Sequence, residues 1–294
     1  MIDFNNFGNR DLNKVVFYNQ DSTTKYQLWQ KPKGCRFVHF FVLGPGGGGT
    51  RGTVNNGGGG GGSGLIFTSI YPSIFIPDNL YIYVGRGGPG GSATSSAGSG
   101  TVTFISSLPS NNQKSTLVGS YGGSSASFST GGNVGAIQDT YRLIGLQSYG
   151  TTSTPISSSY GQAGSNGNLT LPGSNLNQIF PISGGAGGGG QLSGIAYSGG
   201  SISGSSYIQT NLGGTSISLN GNDGYTTFNP NTLTNNEIPL IFMGGSGGAG
   251  NTLGVGGRGG NGSYGCGGGG GGAGSVNGGD GGRGGDGLVI ISWW

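Results

Sequence analysis

The residues GVGGRGGNGSYGCGGGGGGAG at positions 254–274 place a glycine at every third position. The repeat consists of Gly256, Gly259, Gly262, Gly265, Gly268, Gly271 and Gly274. A second repeat of three residues starts at Gly278. Each of its units is two glycines followed by one charged residue, and the charged residues are Asp280, Arg283 and Asp286. Three residues per turn is the period of the polyproline II helix, so the pattern predicts threefold helix in these segments.

Glycine at this density has an entropic cost that only close packing can offset. The chain has 74 glycines in 294 residues, and each costs roughly 0.5–1 kcal/mol more than alanine when it is ordered. We do not expect a long collagen helix, because no proline occurs between residues 254 and 287. We therefore predict that the glycine segments pack laterally as polyglycine II helices, with a bend at Tyr264 to Cys266 and with Asp280, Arg283 and Asp286 on an outer face. The alternative is a set of flexible glycine loops on a β scaffold.

The rest of the composition is typical of a folded β protein. Hydrophobic residues make up 32% of the chain and charged residues 7%, whereas disordered chains combine low hydrophobicity with high net charge. Short apolar runs bounded by Gly, Pro, Asn or Ser predict seven strands, at 14–18, 36–43, 64–69, 79–85, 101–106, 238–243 and 287–294. No stretch has a helical period, so we expect an all-β fold.

Four segments in order carry a family resemblance: WQKPKGCRFVHFFVLGPGGGG at 29–49, GGGGGGSG at 57–64, IPDNLYIYVGRGGPGG at 76–91 and GGRGGDGLVIISWW at 281–294. Over 26–294 the chain resembles the glycine-rich domain of bacteriophage tail-fibre and other virion proteins. The resemblance implies a jelly-roll-like β-sandwich whose first and last strands lie together, with glycine-rich segments inserted between strands. The chain is also similar, more loosely, to phage tip adhesins whose polyglycine II bundles display loops.

We expect one glycine-rich β domain at 26–294 and a separate N-terminal segment at 1–25. Residues 1–36 hold six of the 12 basic residues, so the N-terminal segment is either a docking arm onto another virion protein or a polar first strand. No apolar signal follows Met1, and no run of 18 apolar residues occurs. We expect assembly in a host cytoplasm without membrane insertion.

The candidate chemical groups indicate that the protein is not an enzyme. His39 is the single histidine, and strand alternation puts it on one face with Phe37, Phe41 and Leu43 as a core or inter-strand residue. No two of the nine acidic residues fall at i, i+2 or i, i+4, although glycosidase chemistry needs a carboxylate pair. Cys35 and Cys266 are too few for a zinc site, and we expect two free thiols rather than a disulfide. We predict no catalytic residue, cofactor or metal.

Two glycine motifs resemble nucleotide and nucleic-acid sites. A G-x-G-x-x-G match is formed by Gly44, Gly46 and Gly49, but the residues that follow cannot be helical, as a dinucleotide site requires. Arg-Gly-Gly occurs at Arg86, Arg258 and Arg283. Because acidic residues flank Arg283 and the arginines are few, we predict no nucleic-acid partner.

The remaining hypothesis is a structural or interaction protein, and it takes two forms. In the first the chain is a virion fibre or spike that binds a host surface glycan or protein. Its candidate receptor contacts are the tyrosines in Ser/Gly/Asn-rich segments, a mixture that paratopes use: Tyr141, Tyr149, Tyr160, Tyr197, Tyr207 and Tyr225. In the second it is a capsid or tail scaffold or decoration protein without a receptor. Either version predicts a place on the virion surface, other virion proteins as partners and an oligomer, for which fibre proteins suggest a trimer.

Overall fold

A computed structural model describes residues 13–20, 26–110, 115–127, 130–135, 169–170, 182–192, 194–203, 209–226 and 241–294. It is essentially all-β, with a short 3-10 helix at Ser73–Phe75. The strands are β1 (Asn13–Tyr18), β2 (Gln27–Gln30), β3 (Phe37–Leu43), β4 (Ile66–Pro72), β5 (Asn79–Tyr83), β6 (Val102–Ser106), β7 (Thr116–Tyr121), β8 (Leu169–Thr170), β9 (Gln191–Leu192), β10 (Ile195–Ala196), β11 (Ile202–Ser203) and β12 (Leu288–Trp293). The described part of the chain contains no helix that could span a lipid bilayer.

The first sheet is antiparallel and has the order β1-β12-β3-β4. The last strand, β12, lies between β1 and β3, with Leu288 opposite Leu43 and Trp293 opposite Val38. The resemblance implies that the last strand lies near the strand at 37–43, and the pairing of β12 with β3 confirms this.

The second sheet is also antiparallel, with the order β2-β5-β6-β7 and an irregularity between Ile105 and Ser106. Two further pairs have only two residues per strand: the hairpin β9–β10 and the parallel pair β8–β11. Sequence analysis missed β2 and β7. It also predicted a strand at 238–243, but of its described residues only Phe242 forms bridges, with Ile182 and Thr226.

Both four-stranded sheets contribute to one hydrophobic core. Val38, Phe40 and Val42 of β3 belong to the same buried cluster as Leu80 and Ile82 of β5. Burying such side chains stabilises the fold by roughly 1.5–3 kcal/mol each. The other face of β3, with Phe41 and Leu43, packs in a second cluster that includes Phe242 and Cys266. The glycine-rich region is therefore joined to the first sheet through side chains.

Glycine-rich segments leave the strand ends and return to them. We call each such passage a glycine leg; the legs are 44–52, 57–64, 84–91, 98–101, 182–190, 197–200, 241–250, 256–263, 266–274 and 278–287. The chain between β3 and β4 shows the pattern. Its two legs are bonded every third residue, by Gly44 to Leu65 (2.9 Å), Gly47 to Gly62 (2.8 Å) and Thr50 to Gly59 (2.9 Å), each N–H donating to a carbonyl.

Candidate binding surface

The glycine repeat at 256–274 folds back on itself. A turn at Tyr264 and Gly265 separates two legs, and Gly265 has a φ of 70°, which a side chain would disfavour. The two legs then run antiparallel: the N–H groups of Gly269 and Gly272 donate to the carbonyls of Gly260 and Gly257, both at 2.8 Å. The predicted bend at 264–266 is confirmed.

The leg 266–274 donates its N–H groups to three different neighbours in rotation. Gly268 donates to Gly47 (2.9 Å), and Gly269 donates back to its own antiparallel partner leg. Gly270 donates to Ala186 (2.9 Å), and the cycle begins again with Gly271 and Thr50 (2.9 Å). Successive N–H groups therefore point in three directions, and the fourth points in the direction of the first.

The carbonyls of the same leg accept from three other legs. Gly271 accepts from Gly58, Gly269 from Gly282 and Gly270 from Gly248, at 2.8–2.9 Å. The leg 266–274 thus has six hydrogen-bonded neighbours. Since nearly all buried backbone groups in proteins are paired, this arrangement satisfies a buried backbone without strand pairing.

The seven glycines of the predicted repeat all lie where a side chain would collide. A Cβ atom would lie 2.1 Å from a neighbouring carbonyl oxygen at Gly256, Gly259 and Gly268, and 1.9 Å at Gly271. The corresponding distances are 2.3 Å at Gly262 and 2.0 Å at Gly274, and at Gly265 the collision is with the Leu43 side chain. The absence of Cβ atoms is what allows the legs to approach one another.

The charged stripe predicted for an outer face lies there. Asp280 is exposed and Arg283 and Asp286 are half-buried, whereas the glycines between them are buried. Arg283 and Asp286 form an ion pair, and the Asp286 carboxylate accepts the N–H of Gly87 at 2.8 Å. Asp280 is 3.6 Å from the Nε atom of Arg51. The stripe therefore binds adjacent legs together at the surface.

We call the turns at the far ends of the legs the distal turns; their described residues are 53–56, 92–97, 191–192, 194–196, 215–218, 251–255 and 275–277. Gln191 donates to the Asn55 carbonyl (3.0 Å), and Ser275 donates to the Asn251 carbonyl (3.0 Å). Val255 and Asn277 form a parallel bridge. Residues from six different parts of the chain are thereby presented at the end of the molecule that is opposite the sheets.

Large apolar side chains protrude from the distal turns. Ile217 is 97% exposed, Leu253 92% and Val276 63%. The sequence patterns described above do not include these residues. The sequence feature that could have identified them is an isolated Ile, Leu or Val between Ser, Thr, Asn and Gly, because a turn of such residues needs no apolar side chain.

A groove opens among three of these stretches. It has a cavity volume of about 780 Å³ and is lined by residues 50–54, 91–97, 125–127 and 277–278. Serine, threonine and alanine predominate in its lining, and Arg51 is its one charged side chain among the described residues. The groove and the exposed apolar side chains together form the candidate binding surface.

The structure describes two of the six tyrosines predicted as receptor contacts. Tyr197 is 50% exposed beside the β9–β10 turn. Tyr225 packs against a buried cluster containing Ile202 and Met243, and its hydroxyl donates to the Gln209 carbonyl at 2.7 Å. Burial raises the pKa of the Tyr225 hydroxyl. Tyr141, Tyr149, Tyr160 and Tyr207 lie outside the described residues.

The histidine lies on β3, Cys266 is buried in the second cluster, and Cys35 is partly buried against the shared core. His39 is half-buried on the predicted face of β3, with its Nε2 atom 2.6 Å from the Thr68 hydroxyl. Burial lowers the pKa of His39 to about 4. Cys35 and Cys266 are free thiols, and burial raises the pKa of Cys266 to about 12.

Comparison with known proteins agrees with this architecture. A family model described as "Glycine-rich domain" matches residues 21–294. The match begins just before β2 and runs through all of the glycine legs to β12. The chain has no significant match among curated proteins. Because the family model covers nearly the whole sequence, the chain belongs to the glycine-rich domain family.

Proposed function

We propose that this protein is a virion fibre or spike of phage type that attaches to a host cell by binding a surface receptor through its distal turns. The observation that carries the proposal is that Ile217, Leu253 and Val276 expose large apolar side chains on the distal turns. Exposed apolar surface gathered in one region of a protein commonly marks an interaction site. The sequence resemblance to phage tail-fibre domains supplies the biological setting.

The proposal includes a finer description of the fold. We interpret the glycine legs as a polyglycine II bundle, because successive N–H groups from Gly268 to Ala273 donate to other legs and the acceptor leg repeats every third residue. We interpret the two sheets as a β-sandwich, because Trp29 of β2 and Trp293 of β12 meet across the shared core with ring centroids 5.9 Å apart. Only the position of β12 beside β1 and β3 supports the jelly-roll comparison.

The architecture suits a receptor-binding tip because the distal turns present the binding side chains, whereas the glycine legs provide the stability of the fold. The legs are held by backbone hydrogen bonds that do not depend on the side chains of the turns. Binding residues placed on a rigid scaffold lose less freedom when they engage a partner. We propose the virion surface as the location, after assembly in the host cytoplasm, with other virion proteins as partners and an oligomer in the particle.

The test compares cell binding by variants at opposite ends of the molecule. Fluorescently labelled full-length chain is incubated with intact cells of bacterial strains. We expect the double variant Ile217→Ser, Leu253→Ser to lose binding. The matched control is Ile74→Ser, since Ile74 is 83% exposed in the 3-10 turn beyond the opposite end of β4.

Two further experiments determine whether the receptor is a glycan or a protein and whether the chain lies on the virion surface. Periodate treatment of the cells removes glycan receptors, and protease treatment removes protein receptors. Antibody labelling of particles locates the chain on the virion. A chain that labels particles but binds no cell would reject attachment and leave the scaffold or decoration function.

A further inference from the structure

The groove between the distal turns is held in shape by its own hydroxyl groups. The Ser92 hydroxyl accepts the N–H groups of Thr94 (3.3 Å) and Ser95 (3.2 Å), and the Ser92 N–H donates to the Ser95 carbonyl (2.8 Å). At its base, the buried Thr50 hydroxyl accepts the Gly59 N–H at 2.8 Å. One wall and the base of the groove are therefore ordered before any ligand arrives, which lowers the entropic cost of binding.

Other polar groups of the lining are available to a ligand. Within the described residues, the hydroxyls of Ser96 and Ser125 and the side-chain amide of Asn277 make no hydrogen bond to the protein. A hydroxyl supplies one donor and two acceptor positions, and an amide supplies both kinds of group. The groove can therefore both donate to and accept from the hydroxyl groups of a ligand.

The charge of the groove is balanced. The Nε atom of Arg51 donates to the Gly278 carbonyl at 3.1 Å and lies 3.6 Å from the Asp280 carboxylate. The single cation of the described lining thus has both a backbone and an acidic partner. A phosphorylated or otherwise anionic ligand would find no uncompensated positive charge there.

The apolar part of the lining is small and shallow. Val54, which is 48% exposed, lines the groove together with Ala93, Ala97 and Ala126. Peptide interfaces depend on aromatic or large aliphatic anchors in deep pockets. Among the residues that the structure describes, none that lines this groove is aromatic or a leucine. The volume of about 780 Å³ lies within the range of about 300–1,000 Å³ of small-molecule sites.

From these features we propose that the groove binds a neutral oligosaccharide. Such a ligand carries many hydroxyl groups and small C–H patches and has no charge, which matches the available polar groups, the alanine and valine surface and the compensated Arg51. The inference rests on the proposed attachment function and names the class of receptor.

The experiment measures binding of neutral and acidic oligosaccharides to the full-length chain by calorimetry. The probes are maltohexaose, isomaltohexaose, cellohexaose and chitohexaose as neutral ligands, and a sialic acid oligomer and a heparin hexasaccharide as acidic ones. We expect binding of at least one neutral probe and a loss of at least tenfold in affinity for Ser96→Trp, which fills the groove. Asn277→Ala should weaken the same probe.

The matched control is Ser216→Trp, because Ser216 is an exposed serine of another distal turn that does not line the groove. It should bind the neutral probe as the unaltered chain does. The proposal is overturned if no neutral probe binds, if only acidic probes bind, or if Ser96→Trp retains full affinity.

Cell binding separates this inference from the function on which it rests. If the chain binds cells and Ser96→Trp binds them equally well, attachment stands and the groove is not its receptor site. If a neutral probe binds in the groove but no cell is bound, the oligosaccharide site stands and the attachment function fails.

Discussion

A Cβ atom on Gly259 would lie 2.1 Å from the carbonyl oxygen of Gly269 on the antiparallel leg. The neighbouring Arg258 is exposed on the same leg. Position 259 therefore has no space for a side chain, whereas the adjacent position 258 has. In a set of flexible loops both positions would have space.

Gly259→Ala should therefore lower the stability of the protein. We expect a loss of about 1–3 kcal/mol, the usual cost of forcing an extra carbon into a packed site, measured by thermal or denaturant unfolding. In a flexible loop the same change would raise stability by about 0.4–1 kcal/mol, because alanine restricts the unfolded chain. An increase in the melting temperature of Gly259→Ala would contradict the packed arrangement.

Arg258→Ala is the control and should change stability by less than about 0.5 kcal/mol. The outward Asn261 is less suitable as a control, because its side-chain oxygen accepts the N–H of Arg283 at 3.0 Å. Removing that oxygen would leave a half-buried donor without its partner, a cost unrelated to the space around residue 261.

Removal of residues 288–294 should abolish cooperative folding of the entire domain. β12 pairs with β1 on one side and β3 on the other, and its Val289 and Ile291 belong to the shared core. The predicted result is loss of the unfolding transition in calorimetry and of the β signal in circular dichroism. A truncated chain with an unchanged melting temperature would contradict the central position of β12.

Single substitutions in β12 test the same role by the size of the stability loss that each causes. Ile291→Ala should cost about 2–5 kcal/mol, as for other large-to-small core changes. Ser292→Ala, at the next position of β12 and outside the shared core cluster, should cost much less.

Stability should fall as the pH decreases from about 6.5 to about 4. Folding lowers the pKa of His39 to about 4 from its ordinary value of 6.5, so between these values the unfolded chain binds a proton that the folded chain does not. The contribution is fully present above pH 6.5, and the loss approaches on the order of 3 kcal/mol at pH 4. Denaturant unfolding at several pH values measures it.

His39→Gln should flatten that part of the pH profile, because glutamine does not titrate. The acidic residues contribute equally to both proteins, so the difference between the two profiles isolates the histidine. Parallel profiles from pH 4 to 6.5 would show that His39 is not held neutral by burial.

Thiol labelling should distinguish the two cysteines. Cys266 is fully buried, and burial raises its pKa to about 12. At pH 8 it is therefore held as the thiol, whereas the thiolate is the reactive form. Cys35 is only partly buried. We expect one rapidly modified thiol per native chain and two after denaturation.

The variant Cys35→Ser should remove the rapid reaction and leave Cys266 to react only on unfolding. Rapid modification of the Cys35→Ser protein under native conditions would show that the cluster around Cys266, which includes Leu43 and Phe242, opens readily.

Sequence patterns predicted the features that depend on local chemistry. The apolar run at 287–294 forms β12. The bulky Tyr264, which stands between glycines of the repeat, lies in a turn, and Asp280, Arg283 and Asp286 lie at the surface. β2 and β7 were missed because Gln27–Gln30 has only two apolar residues and Thr116–Tyr121 includes Gly119.

The arrangement of the legs and the groove required three-dimensional information. In a glycine repeat every residue offers the same N–H and carbonyl, so nothing in the sequence specifies that Gly270 bonds to Ala186 rather than to another leg. The groove joins Val54, Ser96 and Asn277, which are far apart in the chain. Such neighbours are determined by turn positions and by the strand order that anchors the legs.

The lateral hydrogen bonds of the legs have a mechanical consequence. A pull on the turn at 53–56 is directed along its two legs. The bonds of Gly49 with Gly282 and of Gly58 with Gly271, which join these legs to neighbouring ones, then resist the pull in shear. Bonds loaded in shear share the force and must break together, whereas bonds at the end of a peeled strand break one after another. A protein held through its distal turns would therefore transmit tension through the legs to the sheets without unravelling from its tip, as the proposed attachment function requires.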